Sequence, residues 1–271
     1  MSLHDGDLKA VRPMFELKGR NYIITGGGRG IGYAATRAIA EMGGNVVVLD
    51  ILDKPVQDFE TLESEFGVKA KYFQTDVTEE TSLNGAFEQA IAELGTLDGC
   101  VTAAGIAYDK PFLEQDWKQA KRVMDINVNG TFFSAQLAAR QMAKQGTGGS
   151  IVLVASVCAH VALPGSRLSS YHASKGAVKM LSTALSIELA PHKIRCNIIS
   201  PGYIESDMTK ALREQVPEYY EIMHTEPPLK RIGDRNDLAP AIVYLLSDAA
   251  SYTTGAEILV TGGIHAGRLD R

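Results

Sequence analysis

Apolar runs of strand length recur along the chain at 22–25, 46–49, 70–73, 99–103, 151–155, 194–199 and 257–260. They are rich in Val and Ile and do not alternate with polar residues, which is the pattern of strands covered on both faces. Between them, apolar positions fall at helical spacing over 30–42, 81–94, 116–144, 171–190 and 237–246. Strand and helix alternate throughout. This predicts an α/β architecture, a doubly wound parallel sheet of about seven strands with crossover helices on both faces. No linker, composition shift or internal repeat divides the chain, so residues 15–271 are expected to form a single domain behind an N-terminal arm of 1–14. The rhythm breaks over 203–237, where helical fragments at 210–215 and 218–223 are interrupted by Pro217, Pro227 and Pro228. A long excursion of this kind predicts a lid over a site, with a plain surface excursion as the alternative.

With 271 residues, 45% of them hydrophobic, the chain has enough apolar material for a core without disulfides or a structural metal. Lys and Arg number 27 against 32 Asp and Glu, and no run of like charge exists to track a phosphate backbone, so nucleic acid is not an expected partner. No stretch approaches the roughly 20 uncharged residues of a membrane helix. The first fifteen residues carry Asp5, Asp7, Lys9 and Arg12 instead of an export signal, so a cytoplasmic protein without a membrane partner is expected. Cys100, Cys158 and Cys196 lie far apart and form no C-x-x-C, and no H-E-x-x-H is present, so no metal site is expected.

Directly after the first apolar run stands Thr25-Gly26-Gly27-Gly28-Arg29-Gly30-Ile31-Gly32, followed by a helical stretch with Ala34, Ala35, Ala38 and Ala40. The backbone N–H groups of such a turn and the positive end of the next helix suit an anion. Glycine lets a pyrophosphate approach, and small residues let the helix lie close to the sheet. Gly30, Gly32 and Ala35 meet the literal G-x-G-x-x-G/A fingerprint, although the wider T-G-x-x-x-G-x-G spacing fits better. A dinucleotide is therefore the expected ligand, and its identity turns on two residues. Asp50 ends the second run 18 residues past Gly32, where a carboxylate accepts hydrogen bonds from an adenosine ribose and repels a 2′-phosphate. Arg29 pulls the other way, because a guanidinium in the turn pairs with that phosphate. The uncompensated carboxylate carries more weight, so NAD is expected ahead of NADP.

Tyr171 and Lys175 lie four apart at the start of a helical stretch and share a face, and Ser156 closes a buried run 15 residues upstream. A Y-x-x-x-K pair alone arises by chance; behind a dinucleotide turn and a strand-end serine it gains meaning. In these motifs the chain resembles the short-chain dehydrogenase/reductase family, in its compact single-domain branch, from about Phe15 to about Gly263. The resemblance implies a Rossmann-type fold and a set of roles. Thr25, Gly26, Gly30, Ile31 and Gly32 match the glycine motif, Asp76 with Val77 the adenine contact, and Ala104-Gly105 the coenzyme-facing end of the N-N-A-G motif. Asn127, Ser156, Tyr171 and Lys175 match the catalytic set, and Pro201-Gly202 the segment beside the nicotinamide, with Ile204 a backbone contact to the carboxamide. A homotetramer or homodimer, packed through 116–144 and 171–190, is also implied. Three departures stand out: Thr102-Ala103-Ala104-Gly105 replaces N-N-A-G, the Ser156–Tyr171 segment is two residues longer around 166–170, and Thr261-Gly262-Gly263 replaces D-G-G.

Moving a hydride at a carbinol carbon requires a group that exchanges the hydroxyl proton, and a phenol with a pKa near 10 is a poor base at pH 7. A Lys ammonium one turn away and an oxidised nicotinamide would both favour phenolate; a three-unit shift asks about 4 kcal/mol of them. Tyr171 is thus read as the acid/base, Lys175 as its tuner, Ser156 as the hydrogen-bond partner of the substrate oxygen, and Asn127 as the holder of a relay water. Ser156, Cys158, His160, Val161, Leu163, Arg167, Leu168, Tyr171 and Tyr203, with the excursion, are expected to wall the substrate pocket. The expected activity is interconversion of a small secondary alcohol and a ketone, with a polyol or sugar ketone as substrate. Alternatives are a cyclic ketone of secondary or steroid metabolism, a nucleotide-sugar epimerase or dehydratase, and a non-catalytic NAD-binding sensor.

Overall fold

Runs of β-branched residues with no polar face have to be enclosed on both sides, and the chain does this with one sheet between two helical layers. The computed structural model describes residues 10–55 and 58–267. Its strands are β1 (Asn21–Thr25), β2 (Asn45–Asp50), β3 (Ala70–Gln74), β4 (Gly99–Thr102), β5 (Gly149–Val154), β6 (Ile194–Pro201) and β7 (Glu257–Val260). Its helices are α1 (Gly30–Glu41), α2 (Leu62–Phe66), α3 (Glu80–Leu94), α4 (Trp117–Met124), α5 (Thr131–Gln145), α6 (Ser169–Glu188), α7 (Asp207–Gln215), α8 (Tyr219–Thr225) and α9 (Ala239–Leu246). The seven strands run in the order β3-β2-β1-β4-β5-β6-β7 and every pairing is parallel. The chain therefore starts in the middle, winds outward to β3, and crosses back to lay β4 against β1. At that reversal the loops leaving the two strands part, which opens a crevice at the carboxyl ends of the sheet.

Successive strand residues feed opposite layers. Ile24, Val46 and Val48 pack with Ile39 of α1 and Leu245 of α9, while Ile23, Val47 and Leu49 pack with Phe87 of α3, Met142 of α5 and Val178 of α6. All seven expected strands are present. The stretch 116–144, expected as helical, is helical throughout, α4 passing into α5 through a π-helical segment over Asp125–Gly130 that its period did not announce. The short helix α2 was not expected, since five residues are too few for a helical period to show.

The 203–237 excursion folds into α7 and α8. Ser206 caps α7, its hydroxyl accepting from Thr209 N while Ser206 N donates to the Thr209 hydroxyl. Of the expected N-terminal arm, 1–9 lie outside the described residues, and Arg12–Phe15 forms a single 3₁₀ turn. Of the tail, 268–271 lie outside them. Among the described residues, no helix is long and apolar enough to cross a membrane.

Candidate active site

The glycine turn leaves β1 under tight constraints. Gly26 has φ +68°, and a Cβ there would stand 2.5 Å from Ala104 N. A Cβ on Gly32 would stand 2.0 Å from Gly26 O, so any side chain at Gly32 would push α1 off the turn. Ala103 and Ala104, just past the end of β4, contribute backbone to this contact. Gly30 differs, since its φ is +58° and nothing lies within 4 Å of where its Cβ would point. Arg29, the residue before α1, gives that helix no side-chain cap, which leaves first-turn N–H groups free for a ligand. An open cradle at an uncapped helix start fits a pyrophosphate.

A single cavity of about 890 Å³ runs from this turn along the crevice to α7 and α8, large enough for a dinucleotide with a small substrate. Gly26, Arg29, Gly30, Ile31, Gly32, Asp50, Asp76, Val77, Ala104, Gly105, Pro201, Gly202 and Ile204 all line it. Asp50 is buried at the end of β2; Gly28 N donates to its Oδ2 at 2.9 Å and Leu52 N to its Oδ1 at 3.2 Å. These bonds hold the carboxylate still while leaving each oxygen a lone pair for a ribose. Arg29 is turned toward the lid, its Nη1 3.6 Å from Asp207 Oδ2. Asp76 is fixed by Thr78, whose N–H and hydroxyl donate to Oδ1 at 2.9 and 2.7 Å. A Cβ on Gly202 would meet Thr261 Cα at 2.7 Å, so the proline-glycine segment lies against Thr261. There the Thr261 hydroxyl accepts from Gly263 N at 3.2 Å, supplying the acceptor that the family's acid would offer.

At the inner end of the cavity, Ser156, Tyr171 and Lys175 come together. Ser156 ends the β5 segment and opens a 3₁₀ turn, its hydroxyl accepting from Cys158 N at 3.1 Å. Tyr171 and Lys175 rise from the first turns of α6, with Lys175 Nζ 5.6 Å from the Tyr171 ring centre. Lys175 is buried and donates to Val154 O at 2.9 Å; burial lowers its pKa to about 8. Burial raises the Tyr171 phenol above its ordinary value, the Cys158 thiol adds to this, and the Ser156 hydroxyl offsets part of it. The site by itself thus holds Tyr171 protonated.

Asn127 sits in the π-type turn, fully buried. Its Oδ1 accepts from Ile106 N, and its amide donates to Ile106 O and to Ser174 Oγ, each at 2.9 Å. Ser174 donates in turn to Tyr171 O at 2.7 Å. Asn127 therefore bolts the β4 exit to the start of α6. Both amide hydrogens are spent, so only its oxygens are left to hold a relay water. Ser174, unnoticed in the sequence, completes this link; no motif marks a small residue beside Lys175.

Cys158, Leu163, Leu168 and Tyr203 line the cavity, joined by Tyr219 and Met223 of α8. His160 does not, and its expected place in the substrate pocket is corrected. It turns toward β7, where Lys179 Nζ lies 3.0 Å from its Nδ1 and Glu257 Oε1 2.6 Å from its Nε2. An ammonium only donates, so Nδ1 is the acceptor and Nε2 carries the hydrogen given to Glu257. Val161 and Arg167 are likewise absent from the cavity wall. Arg167 Nε donates to Asp109 Oδ1 at 2.7 Å, and Tyr219 OH lies 2.8 Å from Asp109 Oδ2 and 2.9 Å from Gly165 O. The Asp109 side chain is wholly enclosed by this arrangement, which ties α8 to two loops beside the cavity.

Comparison with known proteins places this geometry. The family model described as enoyl-(acyl carrier protein) reductase matches residues 26–265. A sorbose reductase from Schizosaccharomyces pombe is 39% identical over 92% of this chain and 97% of its own. A probable NADP-dependent mannitol dehydrogenase from Yarrowia lipolytica is 32% identical over 94% of this chain and 91% of its own. The crystal structure of a short-chain type dehydrogenase/reductase from Mycobacterium marinum superposes with a TM-score of 0.89 at 36% identity, covering 94% of this chain and 99% of that one. Sheet order, glycine turn and the Ser-Tyr-Lys cluster agree with these relationships, and the chain belongs to the short-chain dehydrogenase/reductase family of oxidoreductases.

Proposed function

We propose that the chain interconverts a secondary alcohol and a ketone with NAD as coenzyme, and that its substrate is a polyol or sugar ketone. The observation that carries the reading is the meeting of Ser156, Tyr171 and Lys175 at the inner end of a cleft whose outer end is an uncapped glycine turn. A nicotinamide dinucleotide bound there supplies the hydride acceptor or donor. The residues then divide the remaining work. Ser156 hydrogen-bonds the substrate oxygen, and Tyr171 takes the hydroxyl proton in oxidation or gives it in reduction. Lys175 is the cation that favours phenolate, and Asn127 fixes the loops that carry them. Gly30 gives the pyrophosphate room, and Asp50 meets the adenosine ribose.

Support for NAD comes from Asp50, a buried carboxylate with no cation bonded to it, at which a 2′-phosphate would be repelled. Support for a polyol or sugar comes from the two curated relatives and from a wall that mixes Leu163 and Met223 with Ser156, Tyr171 and Tyr203. The test is NADH formation or consumption, compared with NADPH, over a panel of polyols, sugar ketones and cyclic ketones. Wild type is expected to turn over polyols or sugar ketones with NAD, and Tyr171→Phe to lose at least about a hundredfold in kcat while still binding NADH. Turnover confined to cyclic ketones would overturn the substrate class. NADP-only turnover would overturn the role given to Asp50.

A further inference from the structure

Arg29 and Asp50 pull coenzyme choice in opposite directions, and Arg29 faces a further charge on the 203–237 segment. Arg29 is the cation that the glycine turn contributes to the cavity, where a guanidinium would pair with a 2′-phosphate. Its Nη1 instead faces Asp207 Oδ2 at 3.6 Å. Asp207 is the first residue of α7, and the cap of that helix is made by Ser206 and Thr209, not by Asp207. The ion pair to Arg29 is the interaction the structure gives the Asp207 carboxylate, and both residues line the cavity.

We infer that Asp207 is a specificity-determining residue for NAD over NADP that acts through Arg29. The turn's guanidinium thus faces a carboxylate on α7, while Asp50, bonded to Gly28 N, presents a second carboxylate to the same cavity. The outer end of the cleft then offers a phosphate dianion no unshared positive charge from the turn. The other cations lining the cavity away from the catalytic end, Lys118, Lys121 and Arg122, belong to α4, and Lys121 is tied to Asp125 at 2.7 Å. Removing the Asp207 charge frees Arg29 to turn toward the ribose.

The inference rests on reading the cleft as a dinucleotide site, and binding tests it without turnover. Dissociation constants for NADH and NADPH are measured by fluorescence at low ionic strength, where a half-exposed pair is least screened. The proteins are wild type, Asp207→Asn, Arg29→Gln and the double variant. Asp207→Asn is expected to move the ratio of the two constants about three- to fivefold toward NADPH, the range open to an exposed pair. The shift should fall below about twofold in the Arg29→Gln background and fade as salt is raised. An unmoved ratio, or the same shift with and without Arg29, overturns the assignment. The wild-type ratio judges Asp50 separately: tighter NADPH binding would remove the NAD preference yet leave the Asp207 shift standing. Failure of both dinucleotides to bind would overturn the cleft reading and this inference together.

Discussion

Enclosure lowers the pKa of Lys175 to about 8, whereas in the unfolded chain a lysine keeps its proton to about 10.4. Between those values the unfolded chain binds more protons, so stability rises with pH across that window. Below about pH 8 the full penalty applies, on the order of 3 kcal/mol, offset in part by the bond to Val154 O. Lys175→Met should therefore raise the thermal midpoint at pH 7 by several degrees, with the gain shrinking toward pH 10 as wild type sheds its penalty. Alcohol oxidation should fall at least about a hundredfold in the same variant. A lower midpoint at pH 7 would show that the ammonium stabilises the fold, contrary to this account. Lys175 and Tyr171 were legible in the sequence because helical geometry joins residues four apart, and the glycines because a turn is a local constraint. The Asp109 cluster was not, since its bonds span 58 and 110 residues and no short pattern encodes them. His160 was misplaced for the same reason: its partner Glu257 lies 97 residues away on β7.

Elements follow a similar rule. Strands stand out as runs without a polar face, and the long helices as 3.6-residue periods, but a widened turn inside a helix leaves the apolar period nearly intact. The π-type turn at Asp125–Gly130 was therefore invisible, although it is the segment that carries Asn127. The 203–237 excursion was legible from its prolines, and the bonds that hold it were not. Tyr219→Phe removes the hydroxyl beside Asp109 and Gly165 O while keeping the ring among Leu163, Tyr203 and Met223. Losing one partner of a buried carboxylate costs about 1–3 kcal/mol, and here that cost falls on the docking of α8 against the 109 and 165 loops. The expected outcome is a substrate KM raised about tenfold with a smaller change in kcat, and faster proteolytic cleavage within 203–237. An unchanged KM with a reduced kcat would instead put Tyr219 in the chemistry.

At the scale of the whole molecule, the alternation of strand and helix fixed a parallel sheet with covered faces, and strand order came from the structure. The outer surface carries information that the enclosed core does not. Trp117 on α4 is 87% exposed, Leu113 just before it 96%, and Ile187 on α6 73%, and Phe132 and Phe133 of α5 are also exposed, in edge-to-face contact with each other. Large apolar groups left exposed on these helices offer surface for association. The family resemblance implied that 116–144 and 171–190 pack against copies of the chain, and a two-fold axis would lay such a patch on itself. We therefore expect light scattering to give a particle mass at least twice the 29.2 kDa of one chain. Trp117→Glu with Phe133→Glu should reduce that mass, because burying unpaired carboxylates in a self-complementary contact costs several kcal/mol per copy. Circular dichroism should stay unchanged, both side chains being at the surface. A wild-type particle of one chain at micromolar concentration would count against an oligomer, and a variant that keeps its mass would move the contact to another face.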